Sequence, residues 1–567
     1  MSGLIERKVS LLDYGAGNVR SLRNAIKFLG FEVVDIISPG DIEKANAIIF
    51  PGVGNFGQAM QSLESKGFME PLKAFVNANR PFFGICIGMQ ALFEGSDESL
   101  EDKGVGIIPG RISKFDASVG IRVPHIGWNG YSPVKESMAN EGILPTDKVY
   151  FVHSFCALPT IENLSWILSV TDYGPQRYIS MVQRGNVLGC QFHPEKSGHV
   201  GLRILSNFLS RTGIMEAGAP AVPVTSLQQL ESFPRTALGK RIVACLDVRS
   251  NDHGDLVVTK GDQYDVRETV ESGTGNTSRG NVRNLGKPVA LCRRYYENGA
   301  DEVAFLNITS FRSGVISDMP MLQVLEQSSE NVFVPLTVGG GIRGYTDDTG
   351  VTYSALDVAA RYFRAGADKV SIGSDAVTAA EEYYISGGMK TGSTCIEQIS
   401  SHYGAQAVVV SVDPKRMYVS DPSKAPVGKT VMALREKSAQ REEECGPQGE
   451  RYCWWAVTVK GGREIRDLDA VQLVKASEAL GAGEIMVNCI DMDGQCRGFD
   501  VPLLKAMQAA VTIPVIASSG AGTVEHFSEV FRETDVHAAL AAGIFHREEV
   551  KLSDVKAHLK SEKIPCR

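Results

Sequence analysis

The segment Phe82-Phe-Gly-Ile-Cys86-Ile-Gly88-Met-Gln90 runs from an apolar strand through a tight turn into a helical stretch. Cys86 sits at the turn, between two glycines. Small neighbours permit a strained strand-to-helix turn that lifts one reactive atom out of the backbone. A helix beginning beside that sulfur points its positive end at it. Alone, the same residues also fit a buried, inert cysteine. Upstream, strand-like runs fall at residues 9–12, 32–36 and 47–50, with a helical period at Leu22, Ile26 and Leu29. Downstream runs follow at 148–152, 178–183 and 187–191. Strands alternating with helices predict an α/β domain with a mostly parallel sheet.

From Arg241 onward eight apolar runs read as strands: 242–246, 302–308, 333–338, 369–372, 407–412, 484–490, 513–517 and 538–542. Helical stretches separate most of them, which predicts a (β/α)8 barrel. Residues 415–466, with Trp454-Trp455, read as an insertion after the fifth strand. Gly299-Ala-Asp-Glu-Val303 is echoed by Gly481-Ala-Gly-Glu-Ile485, and Val334-Pro-Leu-Thr-Val-Gly339 by Ile513-Pro-Val-Ile-Ala-Ser518. Both echoes link strands four apart in the count, as two related half-barrels would. The expected organisation is an N-terminal α/β domain over 1–212, a linker over 213–238 containing Gly-Ala-Pro-Ala-Val-Pro, and the barrel over 239–567.

At 567 residues the chain has room for several domains at about 150 residues each. With 43% hydrophobic and 22% charged residues it is neither disordered nor fibrous. A net charge of −8 argues against nucleic-acid binding. No apolar run approaches the roughly 20 residues of a membrane helix, and Met1-Ser-Gly-Leu-Ile-Glu-Arg-Lys lacks a secretory h-region. The 11 cysteines are scattered without paired spacing, as in a reducing compartment. The expected location is the cytoplasm, with a plastid as the alternative. No Cys/His ligand cluster is present, so neither metal nor cofactor is expected.

Gln191-Phe-His193-Pro-Glu195 follows an apolar strand. In an extended segment His193 and Glu195 share a side, so Glu195 can orient the imidazole and His193 can take the Cys86 proton. Pro51-Gly52-Val53-Gly54 also ends a strand. Its backbone N–H groups, with that of Ile87, suit an oxyanion hole, although an ordinary turn reads the same way. His153, in Tyr150-Phe-Val-His153-Ser154, is a second candidate base without a carboxylate nearby and reads as structural or substrate-side.

Barrel chemistry gathers at the C-terminal strand ends. Those ends carry Asp247 (strand one), Gly339-Gly340-Gly341 (three), Gly373-Ser374 (four), Asp413 (five), Asp491-Met-Asp493-Gly494 (six), Ser518-Ser519-Gly520-Ala521-Gly522 (seven) and Gly543 (eight). Asp247 and Asp413 come from opposite sides of the ring and suit general acid–base work, or else cap the following loops. The two repeat-related glycine loops suit a ligand with a phosphate at each end.

Gly84-Ile-Cys86-Ile-Gly88, Pro51-Gly-Val-Gly54 and His193-Pro-Glu195 resemble the class I glutamine amidotransferases. Asp13-Tyr-Gly-Ala-Gly-Asn18, His125-Ile-Gly-Trp-Asn129 and Tyr150-Phe-Val-His-Ser154 resemble the glutaminase of the imidazole glycerol phosphate synthases. Ala244-Cys-Leu-Asp-Val248, Val338-Gly-Gly-Gly-Ile342 and Ile516-Ala-Ser-Ser-Gly-Ala-Gly522 resemble the cyclase of the same family. Both halves in one chain are similar to the fused fungal and plant form. Gly373-Ser374 and Asn307 depart from the Asn-Thr and Asp common in bacterial relatives. The resemblance implies glutamine hydrolysis through a Cys86 thioester, with Gln90 touching substrate. It implies Asp247 and Asp413 as the acid–base pair of the cyclase, acting on a bis-phosphorylated ribonucleotide, and Lys260 as a substrate-side lysine on the loop after strand one. No separate protein partner is then required.

Arg241, Glu302, Lys369 and Glu484 stand at the starts of strands one, two, four and six. They read as stabilising ion pairs at the barrel base; the family resemblance makes them an ammonia gate. Two rival readings remain at this stage. One is an amidotransferase serving a different acceptor, against which the glycine loops speak. The other is a metabolite-binding regulator with a dead glutaminase, against which the intact Cys86, His193 and Glu195 speak.

Overall fold

The computed structural model describes residues 7–15, 17–210, 224–250, 256–259, 267–271, 277–282, 284–308, 319–346, 350–436 and 443–567. Lys260 and the whole of the Gly-Ala-Pro-Ala-Val-Pro segment lie outside the described residues.

Five parallel strands form the heart of the N-terminal domain, in the order Glu32–Asp35, Lys8–Leu11, Ile48–Phe50, Phe82–Ile85 and Val187–Cys190. Helices cover both faces, so Ile48, Ile49, Phe50, Phe82 and Phe83 are wholly buried. The sheet is not mostly parallel, as the alternation had predicted. Beyond Val187–Cys190 it continues through Gln176–Arg184, Phe155–Ala157 and Ile108–Lys114, all paired antiparallel. Two of the antiparallel pairings have a local cause: Gly174 and Gly185, both at positive φ, open two-residue hairpins that return Ile167–Tyr173 into Gln176–Arg184 and that strand into Val187–Cys190, and a hairpin can only return the chain antiparallel.

The second domain is a closed barrel of eight parallel strands: Arg241–Ser250, Glu302–Asn307, Leu336–Gly339, Lys369–Ile372, Val408–Val412, Glu484–Asn488, Val515–Ser518 and Ala538–Ala541. The last pairs with the first and removes every edge. Strands three and seven start later than their apolar runs. Pro335 and Pro514 have no N–H to give the ladder, so each strand begins one residue after its proline. The post-strand-five insertion folds as a four-stranded antiparallel sheet of Pro414–Val419, Met432–Ala433, Tyr452–Val459 and Glu464–Asp469. Asp500 ties it to the barrel, accepting from Arg416 Nε at 2.8 Å and Trp455 Nε1 at 3.0 Å.

The N-terminal domain packs under the barrel, against its strand starts. Asn18 Nδ2 donates to Asp368 Oδ1 and to the Gly366 carbonyl, Lys196 Nζ pairs with Asp368 at 2.7 Å, and Trp128 Nε1 donates to the Asp301 carbonyl. The Val123 N–H bonds the Thr512 carbonyl, and the Gly198 N–H that of Phe333. Asp301, Phe333, Asp368 and Thr512 all lie just ahead of barrel strands. The described part of the inter-domain segment is a strap on the first domain: buried Asp172 receives Arg177, Arg235 and the Thr236 N–H.

Removing the Asp500 carboxylate would leave the buried Arg416 guanidinium with Glu444, at 3.4 Å, as its remaining carboxylate. Asp500→Ala should cost about 3–5 kcal/mol. The check is the thermal midpoint of the barrel transition, expected to fall by several degrees while the N-terminal domain's transition holds.

Candidate functional site

Cys86 occupies the end of strand Phe82–Ile85 at φ 51°, ψ −105°, immediately before the short helix Ile87–Gln90. A non-glycine residue held there is strained, and such strain collects at functional sites. The flanking glycine is obligatory: a Cβ on Gly88 would lie 1.9 Å from the Phe50 carbonyl oxygen. Likewise a Cβ on Gly52 would strike the Ile87 side chain at 2.2 Å, so the Pro51–Gly54 loop and the elbow are in close contact. Val53, Gly54, Cys86, Ile87, Gln90 and His193 line one cavity.

His193 lies on the neighbouring strand end and is extended (φ −101°, ψ 97°), as its following proline dictates. Glu195 is not extended: Pro194–Lys196 forms a 3-10 turn. The turn still returns the carboxylate, and His193 Nδ1 meets Glu195 Oε1 at 2.8 Å. Burial alone would lower the His193 pKa, but Glu195 and then Cys86 overcome it and hold the imidazole well above its usual range. The pair is therefore set for a charged imidazolium facing sulfur.

Four residues near Cys86 escaped the sequence reading. Gln191 Nε2 donates to Cys86 Sγ at 3.4 Å. Glu98 reaches the cavity from a distant hairpin, and burial raises its pKa despite the Phe56 N–H it accepts. Gln406 comes from the barrel. Tyr150 carries a carbonyl that accepts the His193 N–H at 2.9 Å. Gln191 precedes His193 by two and Tyr150 opens the Tyr150-Phe-Val-His-Ser154 motif, but neither motif marks the residue's own role; Glu98 and Gln406 stand in no distinctive motif.

At the barrel base Arg241, Glu302, Lys369 and Glu484 close into an alternating ring. Arg241 pairs with Glu302 at 2.6 Å and with Glu484, while Lys369 pairs with Glu302 at 2.7 Å and Glu484 at 2.6 Å. All four are sealed from solvent. Burial would push Glu484 up, yet Arg241 and Lys369 hold it below the usual carboxylate range. The Tyr150 hydroxyl is buried next to this ring: burial first, then Glu302, raises its pKa far above normal.

At the barrel mouth Asp247 and Asp413 stand on opposite walls, by strand order one and five of eight. Asp413 Oδ1 accepts from Asn488 Nδ2 at 3.2 Å, an end-of-strand asparagine the sequence reading passed over. Gly340, Gly341 and Gly520 adopt positive φ, and Ser519 joins them at 70°. Gly373 and Gly543 precede or begin helices, Ser374–Ile385 and Gly543–His546. Ser374 Oγ accepts the Lys460 N–H from the insertion. Asp491 is engaged by the Arg416 N–H at 2.7 Å, while Asp493 is buried and Gly494 turns at positive φ.

A strained cysteine with a histidine–glutamate pair, set beneath a barrel, defines a class I glutamine amidotransferase domain joined to a biosynthetic (β/α)8 enzyme. Residues 10–212 match the family model for class I glutamine amidotransferases, and 241–551 that for histidine biosynthesis proteins. The chain is 55% identical to the Arabidopsis thaliana protein named chloroplastic imidazole glycerol phosphate synthase hisHF, over 99% of this chain and 89% of that one. It is 53% identical to the hisHF synthase of Schizosaccharomyces pombe, over 97% and 98%. Its barrel half alone matches the HisF subunit of Methanobrevibacter smithii at 37%, over 58% of this chain and 99% of that subunit. The chain belongs to the imidazole glycerol phosphate synthase family, in its fused glutaminase–cyclase form.

Without the Glu195 charge, only Cys86 is left to oppose burial. In Glu195→Gln the His193 imidazole should titrate lower than in the native chain. Ring 15N shifts followed against pH would read the difference; an unmoved titration would refute the electrostatic account.

Proposed function

We propose that the chain hydrolyses glutamine at Cys86 and spends the ammonia at the barrel mouth. There it converts phosphoribulosyl-formimino-aminoimidazole carboxamide ribonucleotide into imidazole glycerol phosphate and aminoimidazole carboxamide ribonucleotide, a step of histidine biosynthesis. The observation that carries this reading is the stacking of parts. Tyr150 is bonded to His193 through its backbone and lies beside the charged ring with its hydroxyl, so one residue connects the cysteine site to the barrel axis.

Cys86 attacks the carboxamide carbon, and the S–C bond forms as the C–N bond breaks. His193 gives its proton to the leaving nitrogen and afterwards activates the water that hydrolyses the thioester. Glu195 keeps the ring oriented and charged. The N–H groups of Ile87 and of the Gly52–Val53 loop face the developing oxyanion. Gln90 contacts the carboxamide, and the half-buried Glu98 suits the substrate ammonium. At the mouth Asp247 and Asp413 move protons during ring closure and cleavage. The loops at Gly339–Gly340–Gly341 and Ser518–Ser519–Gly520–Ala521 cradle the two phosphates, with Gly373, Ser374, Asp491, Asp493, Gly494 and Gly543 around the substrate, and Lys260 engages it. The ring of Arg241, Glu302, Lys369 and Glu484 gates the ammonia. The cytoplasm is the proposed compartment, and a plastid the alternative.

Cys86→Ala should abolish product formation from glutamine and leave formation from ammonium salts near the native rate. Asp247→Asn and Asp413→Asn should stop both. Equal loss of the two activities in a folded Cys86→Ala chain would sink the two-site reading.

The gate makes a stoichiometric claim. Lys369→Ala should leave glutamine hydrolysis running while imidazole glycerol phosphate per glutamate falls below one. A coupling ratio that stays at one would rule the ring out as the gate.

A further inference from the structure

His153 lies against the Cys86 cavity, and the glutaminase steps above leave it unused. It ends strand Val149–His153 and is 3% exposed. Its Nδ1 sits 2.8 Å from the Phe155 carbonyl oxygen. A carbonyl only accepts, so Nδ1 carries the ring hydrogen and Nε2 is left as a bare lone pair. Burial holds the ring pKa down to about 3 despite the Phe155 bond, with His193 adding to the lowering, so the ring is neutral through the physiological range. Nε2 is buried and has no hydrogen-bond partner among the described residues.

A second bare acceptor shares the cavity. Gln90 Nε2 donates to the Phe155 carbonyl at 3.1 Å and to Gln191 Oε1 at 3.0 Å, which sets the amide's orientation. Gln90 Oε1 is then buried without a donor. Buried acceptors are ordinarily satisfied. Two left open beside a nucleophile fit an incoming group with two N–H bonds. A primary carboxamide has that pair; a carboxylate or an ester has neither.

We propose that His153 Nε2 accepts an N–H of the substrate's carboxamide nitrogen and keeps that bond as the nitrogen departs as ammonia. The proposal rests on the glutaminase reading and deepens it. The balance is simple. Cys86 sulfur bonds the carbon, the C–N bond breaks toward nitrogen, and His193 supplies the proton that completes ammonia. His153 gains and loses no proton. Its contribution is to hold the leaving nitrogen and to make the site prefer an amide over an ester.

The test uses the full chain, with glutamine and glutamate γ-methyl ester as alternative substrates. In His153→Leu, kcat/KM for glutamine should fall about tenfold or more, the effect of one lost hydrogen bond to the reacting group. The ester has no N–H to lose, so its kcat/KM should change by less than about threefold. His153→Gln, which returns an acceptor oxygen near the Nε2 position, should keep most of the native preference for amide. Ammonium-driven product formation should be unchanged in both variants. Equal losses on the two substrates would assign His153 a structural role and overturn the proposal. If His153→Leu also loses the ammonium-driven reaction, His153→Gln decides: a retained amide preference supports the proposal and a lost one overturns it. A native chain inert toward both substrates would remove the glutaminase reading itself, and this proposal with it.

Discussion

Two cations and two anions share the floor of the barrel, shielded from bulk solvent. Burying even one ion costs several kcal/mol, so such a group persists only when each charge is matched on both sides. Arg241, Glu302, Lys369 and Glu484 meet that condition by closing a cycle, and Thr337 Oγ1 adds a bond to Glu302 at 2.6 Å. The cycle demands that strands one, two, four and six begin at one level. It also demands a lid that keeps solvent out. The N-terminal domain is that lid: Trp128, Tyr150 and Asn18 approach the strand starts, and Asp301 and Asp368 receive their contacts at the rim. Barrel register, domain docking and the path between the sites therefore follow from one electrostatic requirement.

The cysteine site obeys a complementary logic, in which strain replaces charge as the organising element. Cys86 is held at positive φ by two contacts that tolerate no side chain, at Gly52 and Gly88. The His193–Glu195 pair approaches from the adjacent parallel strand, so the sheet itself fixes the geometry. The chain bonded to that sulfur, Gln90 to Gln191 to Cys86, is directional because each amide has its donors and acceptors assigned by neighbours.

Much of this was written in local patterns. The eight barrel strands were readable because each is a short apolar run bounded by turn residues. The Gly-x-Cys-x-Gly elbow and the His-Pro-Glu segment were readable because their chemistry needs particular residues at short spacing. The antiparallel half of the first sheet went unread although Gly174 and Gly185 mark its hairpins. Glu195 was expected on an extended strand; its proline instead opens a 3-10 turn, and the contact with His193 survives because that turn returns the carboxylate.

The sequence alone determined element order, the elbow, the triad residue types and the charged strand starts, since all of these depend on neighbours within a few positions. Only the tertiary structure decided that Gln191 and Glu98 reach Cys86, that Gln406 of the barrel joins them, that Tyr150 bridges the two sites and that His153 presents a bare acceptor. Those facts depend on contacts between segments tens to hundreds of residues apart. No local period records such contacts, because burial and hydrogen-bond partners are assigned only once the sheets have closed.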